Sequence, residues 1–225
     1  MRKKEEKSQE PYTCNWDSIK VKSSLELAFN NNSEIELLQI IKANSFLLYE
    51  LYSRKWGIQP SFHEINFGSK LRCDFAWLND NSDGPEWVLL EIEKPKMKLF
   101  TKKGEPSAEL NHAIEQVKTW QRYFEENPLE KKRIFGAVAR FRFILVAGSK
   151  EDWSTESAIK WRKHHNATSD IEIRSSDIFY RAISILERSP SELWSFNEHP
   201  KTLSHSRLEK YWEKYGYMDI FRRIL

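Results

Sequence analysis

The segment LLEIEKP, residues 89–95, sets Glu91 and Glu93 two positions apart inside an apolar run. Side chains on a strand alternate between faces, so in extended chain both carboxylates point the same way. Two like charges among apolar neighbours raise the free energy unless a cation neutralises them. Asp74, in the segment RCDFAW (72–77), brings a third carboxylate if the two segments pair across the loop at 78–86. Magnesium or manganese, hard divalent cations that take oxygen ligands, suit such a set. An ion held there would lower the pKa of a water and polarise a phosphoryl oxygen. Spacing alone leaves a second reading open, in which the carboxylates lie on a solvated face and Glu93 pairs with a nearby lysine.

A sheet has to carry these groups. FHEINFGSKLRCDFAWL (62–78) reads as two strands about a Gly68-Ser69 turn. Strict alternation puts Leu71, Cys73, Phe75 and Trp77 on one face of the second strand and Arg72, Asp74 and Ala76 on the other. EWVLLEIE (86–93), apolar on both faces near its start, reads as a covered central strand that Pro95 ends. Before them, the turn and capping signal NNNS introduces an amphipathic helical pattern over residues 34–54. After them come a helix over 106–125, a buried strand in FRFILVAGS, a helix near 154–165, a short strand IEIRS and a helix over 177–187. The helix at 106–125 carries its apolar stripe through Leu110, Ala113, Ile114, Val117, Gln121 and Phe124, with Gln116 and Trp120 beside that stripe. The expected fold class is therefore α/β, a mixed central sheet flanked by helices. Three strands form an antiparallel meander, and a crossover helix brings the fourth in parallel. The chain divides into a charged tail and lead-in (1–32), the α/β domain (33–189) and a helical extension (190–225) for docking or assembly.

Composition narrows the function classes. Of 225 residues, 40% are hydrophobic and 31% charged, which indicates a globular chain, and the net charge of +3 is compatible with a polyanionic partner. Two cysteines, Cys14 and Cys73, in separate segments suggest a reducing compartment rather than a disulfide framework. The N-terminus lacks the apolar core of a signal peptide, and no apolar run approaches the ~20 residues that span a bilayer, so a cytoplasmic protein without a membrane partner is expected. The six histidines show no zinc-ligand spacing with cysteine. Gly148-Ser149-Lys150 lacks the rest of a phosphate-binding loop, so no nucleotide cofactor is expected.

RCDFAW, LLEIEKP and the segment AIEQVKTW, in that order, resemble the catalytic core of the PD-(D/E)xK nuclease superfamily. With SEIELLQIIKANSFLL before them and LFTKKGEPSAELNHAIEQVKTW as the loop and helix after the third strand, they resemble in particular the Shedu family of antiphage nucleases. The resemblance runs from about residue 33 to residue 187. It implies a restriction-endonuclease-like core and hydrolysis of DNA phosphodiesters with Mg2+ or Mn2+, in bacterial antiphage defence. It also implies a homo-oligomer, dimer or tetramer. Position by position, Asp74 matches the metal-binding aspartate, with Cys73 in place of the motif's proline, and Glu91 matches the second acidic ligand. Glu93 stands where the superfamily usually has lysine, the residue thought to orient the attacking water. It resembles in this the restriction enzymes that carry glutamate there, and could hold a second metal or accept a proton.

Further candidates follow, Glu34 and Gln116 from the same resemblance and the others from the residues themselves. Glu34 matches an acidic position of the opening helix and would join the metal shell, although a glutamate there also simply favours the helix dipole. Gln116 would reach the metal site and the DNA backbone, or be an ordinary surface glutamine. Lys118 could deliver the missing ammonium group, and Lys94, Lys118 and Trp120 are candidate DNA contacts. Glu64 and His112 are weaker candidates for the same neighbourhood. Lys94, Lys96, Lys98, Lys102 and Lys103 form a loop that either faces phosphates or is merely solvated. The interleaved aromatic and basic residues of 190–225 either bind nucleic acid or dock on the domain or a twin subunit. The rival function is a catalytically inactive DNA-binding or sensor protein on the same fold, its lost lysine marking lost chemistry.

Overall fold

The computed structural model describes residues 15–224, so Cys14 and the charged stretch before it lie outside the described residues. A six-stranded mixed sheet forms the centre, in the spatial order β5-β4-β3-β2-β1-β6. Strands β1 (Phe62–Phe67), β2 (Leu71–Asn81) and β3 (Gly84–Ile92) form the antiparallel meander; β4 (Arg140–Val146) pairs parallel to β3, and β5 (Ile171–Arg174) parallel to β4. β6 (Leu203–Ser204) adds a two-residue parallel edge to β1. Every residue of β3 is buried, because helices cover both faces of its apolar run.

On one face lie α1 (Ser18–Asn30), α2 (Glu34–Ala43), a 3-10 turn (Ser45–Leu51) and α6 (Ile178–Arg188), packed on Phe75, Trp77, Val88, Leu90 and Ile144. On the other lie α3 (Ala108–Glu126), α4 (Pro128–Phe135) and α5 (Glu156–Thr168), packed on Ala76, Leu78, Trp87, Leu89 and Leu145. After α6 come α7 (Trp194–Asn197), then α8 (His205–Lys214) and α9 (Tyr217–Phe221), which join the α3 side. The aromatics of this C-terminal stretch dock on the chain's own domain. The Trp212 indole donates to the Ile134 carbonyl at 2.8 Å, and Tyr217 donates to the Asn81 carbonyl at 2.6 Å. The Trp212 ring lies so close over Gly136 (φ 76) that a Cβ there would come within 2.6 Å of it.

Several sequence expectations need correction. The lead-in segment holds a helix, α1, capped by Asp17 and burying Val21, Leu25, Ala28 and Phe29. The helical pattern over 34–54 is broken at Asn44 (φ −139), after which the chain continues as a 3-10 turn. Asn44 hydrogen-bonds through its side chain to the Ile40 carbonyl, 2.8 Å away, and closes α2. α4 was not foreseen; Pro128 at its first turn suits a helix start.

The strict alternation expected along β2 also fails. Leu71 and Cys73 pack in the α3-side core with Ala76 and Leu78, whereas Phe75 and Trp77 pack in the opposite one. The change of face falls at Asp74. β1 changes face opposite it, between Phe62 and Ile65, where Glu64 takes the left-handed conformation (φ 53). Pairing continues on both sides, His63 with Phe75 and Ile65 with Cys73.

α3 starts at Ser107, whose hydroxyl accepts the Leu110 N–H at 3.1 Å. Trp120 lies inside its apolar stripe rather than beside it, 0% exposed and edge-on to Phe67 with centroids 6.0 Å apart. A ring without exposed surface has nothing to offer a nucleobase, so Trp120 is corrected from DNA contact to core residue. Trp120→Ala should lower the unfolding free energy in urea by about 3–5 kcal/mol, the cost of emptying a large aromatic site. A variant as stable as the parent would show that the ring is not packed as described.

Candidate active site

Where β3 runs out, the protein opens a cleft of about 960 Å³. Glu91 and Glu93 come from the end of β3, Asp74 from β2, Glu34 from the first turn of α2, and His112, Glu115, Gln116 and Thr119 from one side of α3. The β1–β2 hairpin forms the opposite wall through Asn66, Gly68, Ser69, Lys70 and Arg72. The spacing of 112, 115, 116 and 119 is that of one helix face.

The change of face at Asp74 delivers its carboxylate to the site. Backbone pairing between β2 and β3 reaches Phe75 and Leu90 and goes no further. Beyond it, the Ile92 N–H donates to Oδ2 of Asp74 at 2.8 Å, so a side chain takes the place of a strand carbonyl. Glu91 sits opposite Leu145 of β4, and the Glu93 N–H donates to the Val146 carbonyl at 2.9 Å. Both glutamates are thus anchored by parallel pairing on the far side of the strand. The Gln116 amide donates to Oε1 of Glu91.

Asp74 is 6% exposed and Glu91 8% exposed. Burial pushes the Asp74 carboxyl up to about 7; the Ile92 N–H and Arg72 oppose the rise, while Glu34 and Glu93 add to it. Burial raises Glu91 well above the carboxylate range, and Asp74, Glu93 and Glu34 push it further. Glu93 is raised by burial and by Glu34, against His112 and Lys94. Oε2 of Glu91 is buried without a hydrogen-bond partner. As the side chains stand, no group of three or more His, Cys, Asp or Glu among the described residues is already arranged to hold a metal ion. The donors are nonetheless all carboxylates around one cleft, and an orphaned buried oxygen with mutually repelling neighbours is the environment a hard divalent cation relieves.

The cleft therefore gathers Asp74, Glu91, Glu93, Glu34, Gln116 and His112. It does not gather all the candidates. Lys118 points away, towards α5, where after burial its charge is the next cause lowering the pKa of His165; it cannot supply an ammonium group to the cleft. Lys94 is exposed and does not line the cleft. Glu64 lies outside it, paired with Lys42 at 2.8 Å. Lys98, Lys102 and Lys103 line a separate depression with Thr155 and Ser157. Sequence reasoning assigned no role to Lys70 and Arg72, although Arg72 was already placed on the face of Asp74.

Comparison with known proteins gives one family. The model of the family described as Shedu protein SduA, C-terminal, matches residues 31–180. That is most of the α/β domain, including the strands and the helix that line the cleft, and the chain belongs to the Shedu family. No curated protein matches it. Among the described residues, no helix is long and apolar enough to cross a membrane.

The raised carboxyls make stability depend on pH in a stated direction. Asp74 titrates near its ordinary 3.8 in the unfolded chain and near 7 when folded. Between those values the folded state holds more protons, so the metal-free protein loses stability as pH rises from about 4 to about 7. Asp74→Asn keeps an oxygen for the Ile92 N–H and removes the charge. It should match the parent near pH 4 and exceed it at pH 8 by on the order of 4 kcal/mol, measured in chelator by thermal unfolding. Equal stability at both pH values would show that the buried charge carries no such cost.

Proposed function

We propose that this Shedu-family protein is a metal-dependent endonuclease that hydrolyses DNA phosphodiesters, a hydrolase with Mg2+ or Mn2+ as cofactor. The observation that carries the reading is the buried Glu91 carboxylate, its Oε2 unpartnered, in a cleft shared with Asp74, Glu93 and Glu34. Membership of the family suggests a place in antiphage defence. The mixed sheet between two helical layers is compatible with the PD-(D/E)xK core, to which we assign it. A cytoplasmic homo-oligomer is part of the same proposal.

Glu91 and Asp74 would hold the ion, with Glu93 and Glu34 completing its surroundings. When bound, the ion supplies Lewis acidity toward a phosphoryl oxygen and a water. The protein's own groups do the rest. Ile92 N–H and Gln116 fix the orientation of the Asp74 and Glu91 carboxylates, so little reorganisation is needed when charge develops. Gln116, on the wall of the cleft, also presents its amide towards a DNA backbone lying there. Water attacks phosphorus, a P–O bond forms, and the bond to one bridging oxygen breaks. The water's proton passes to the Glu93 carboxylate, whose pKa is raised by burial and by Glu34. The leaving oxygen takes a proton from solvent.

Glu91→Gln should abolish plasmid cleavage in magnesium or manganese, a loss of several kcal/mol or on the order of 10³-fold, while the thermal unfolding curve shows an intact fold. Cleavage at the parent rate would remove Glu91 from the reaction. DNA binding without cleavage by the parent in either ion would instead favour the non-catalytic sensor. Glu93→Ala should raise the magnesium concentration for half-maximal cleavage by at least about tenfold. An unchanged magnesium profile would leave Glu93 no part in the chemistry.

A further inference from the structure

A phosphodiester entering this cleft meets carboxylates first. Its lining holds five of them, Glu34, Asp74, Glu91, Glu93 and Glu115, against two permanent cations, Lys70 and Arg72. Both cations come from the β1–β2 hairpin, and the protein holds that hairpin firmly. The Gly68 N–H at its tip donates to Glu130 Oε1 at 3.0 Å, and the Tyr123 hydroxyl donates to the same carboxylate. Gly68 (φ 58) lies so close to the Tyr123 ring that a Cβ there would approach it to 3.1 Å. The turn is thereby clamped to α3 and α4, across the cleft from Gln116.

Arg72 is the better placed of the two cations. Its charge is among the causes acting on Asp74, where it favours the ionised form. A guanidinium also offers a planar fork of donors that matches phosphate oxygens, which an ammonium group does not. A loose ion pair holds it near the rim: its Nη1 is 3.9 Å from Oε1 of Glu64, which Lys42 anchors at 2.8 Å. With the Arg72 side chain still 53% exposed, its remaining donors face solvent and the cleft.

We infer that Arg72 grips the DNA phosphate in this cleft, its guanidinium donating to non-bridging oxygens and stabilising the charge that builds on them during hydrolysis. The stabilising role rests on the nuclease reading; the grip itself can be tested without it. Three measurements on the full chain separate them: binding of a fluorescein-labelled DNA duplex in calcium at increasing salt, manganese affinity by calorimetry, and cleavage rate in magnesium. Arg72→Gln should lower the slope of log affinity against log salt by about 1 and the cleavage rate on the order of 10²-fold, with manganese affinity kept. Arg72→Lys, which keeps the charge, should keep the salt slope and recover only part of the rate. It also serves if the glutamine variant fails to fold. A parent salt slope together with a parent rate in Arg72→Gln overturns the inference while the nuclease reading stands. A parent that never cleaves, with the slope still lowered in Arg72→Gln, overturns the nuclease reading and leaves the grip.

Discussion

Between Cys73 and Phe75 strand β2 changes the face its side chains address, and β1 does the same opposite it at Glu64. A single slip would put one strand's apolar residues against the wrong layer. The paired slip keeps both cores filled and leaves Asp74 aimed at the end of β3. There its carboxylate receives the Ile92 N–H at 2.8 Å, and backbone pairing between the two strands stops. The cleft exists because the ladder ends at that point. The left-handed Glu64 is a local strain on the order of 1–3 kcal/mol, held by regular pairing on either side of it.

That arrangement concentrates negative charge where water is scarce. Asp74 and Glu91 are buried beside one another, with Glu34 and Glu93 adding repulsion. Two hydrophobic layers on the sheet carry this cost, one built on Phe75, Trp77 and Leu90, the other on Trp87, Leu89 and Trp120. Glu91 and Glu93 are both held by pairing with β4, so relaxation by strand movement would disrupt the parallel half of the sheet. In the proposed reading that stress is what a bound cation would relieve, which is how a binding site would differ from a structural ion pair.

Charge of the other sign reaches the cleft from a hairpin that the rest of the chain braces. α3 and α4 hold its turn through Tyr123 and Glu130, and α8 packs along β1. The C-terminal aromatics serve this bracing. Tyr211 donates to the Gln59 side chain and Tyr215 to Asp80, at the opposite end of β2 from Asp74. Segments distant in sequence thus fix the position of Lys70 and Arg72 relative to the carboxylates.

The sequence by itself determined the order of the main elements, the antiparallel meander with its parallel fourth strand, and the pairing of Glu91 with Glu93 on one face. Those follow from periodicity, turn residues and the apolar runs, all of which are local. It also carried the family, through four segments in fixed order. Only the tertiary structure decided which face each half of β2 presents, because a left-handed Glu64 and an aspartate that captures a neighbouring strand's N–H leave no mark on an alternating pattern. Tertiary packing likewise moved Trp120 from the edge of its stripe into the core and turned Lys118 towards α5. A helix offers several faces, and the packing around it decides which one is covered. Lys70 and Arg72 joined the site for the same reason. Their proximity to Gln116 is set by a clamp that joins Gly68 to Tyr123 and Glu130, more than fifty residues further along the chain.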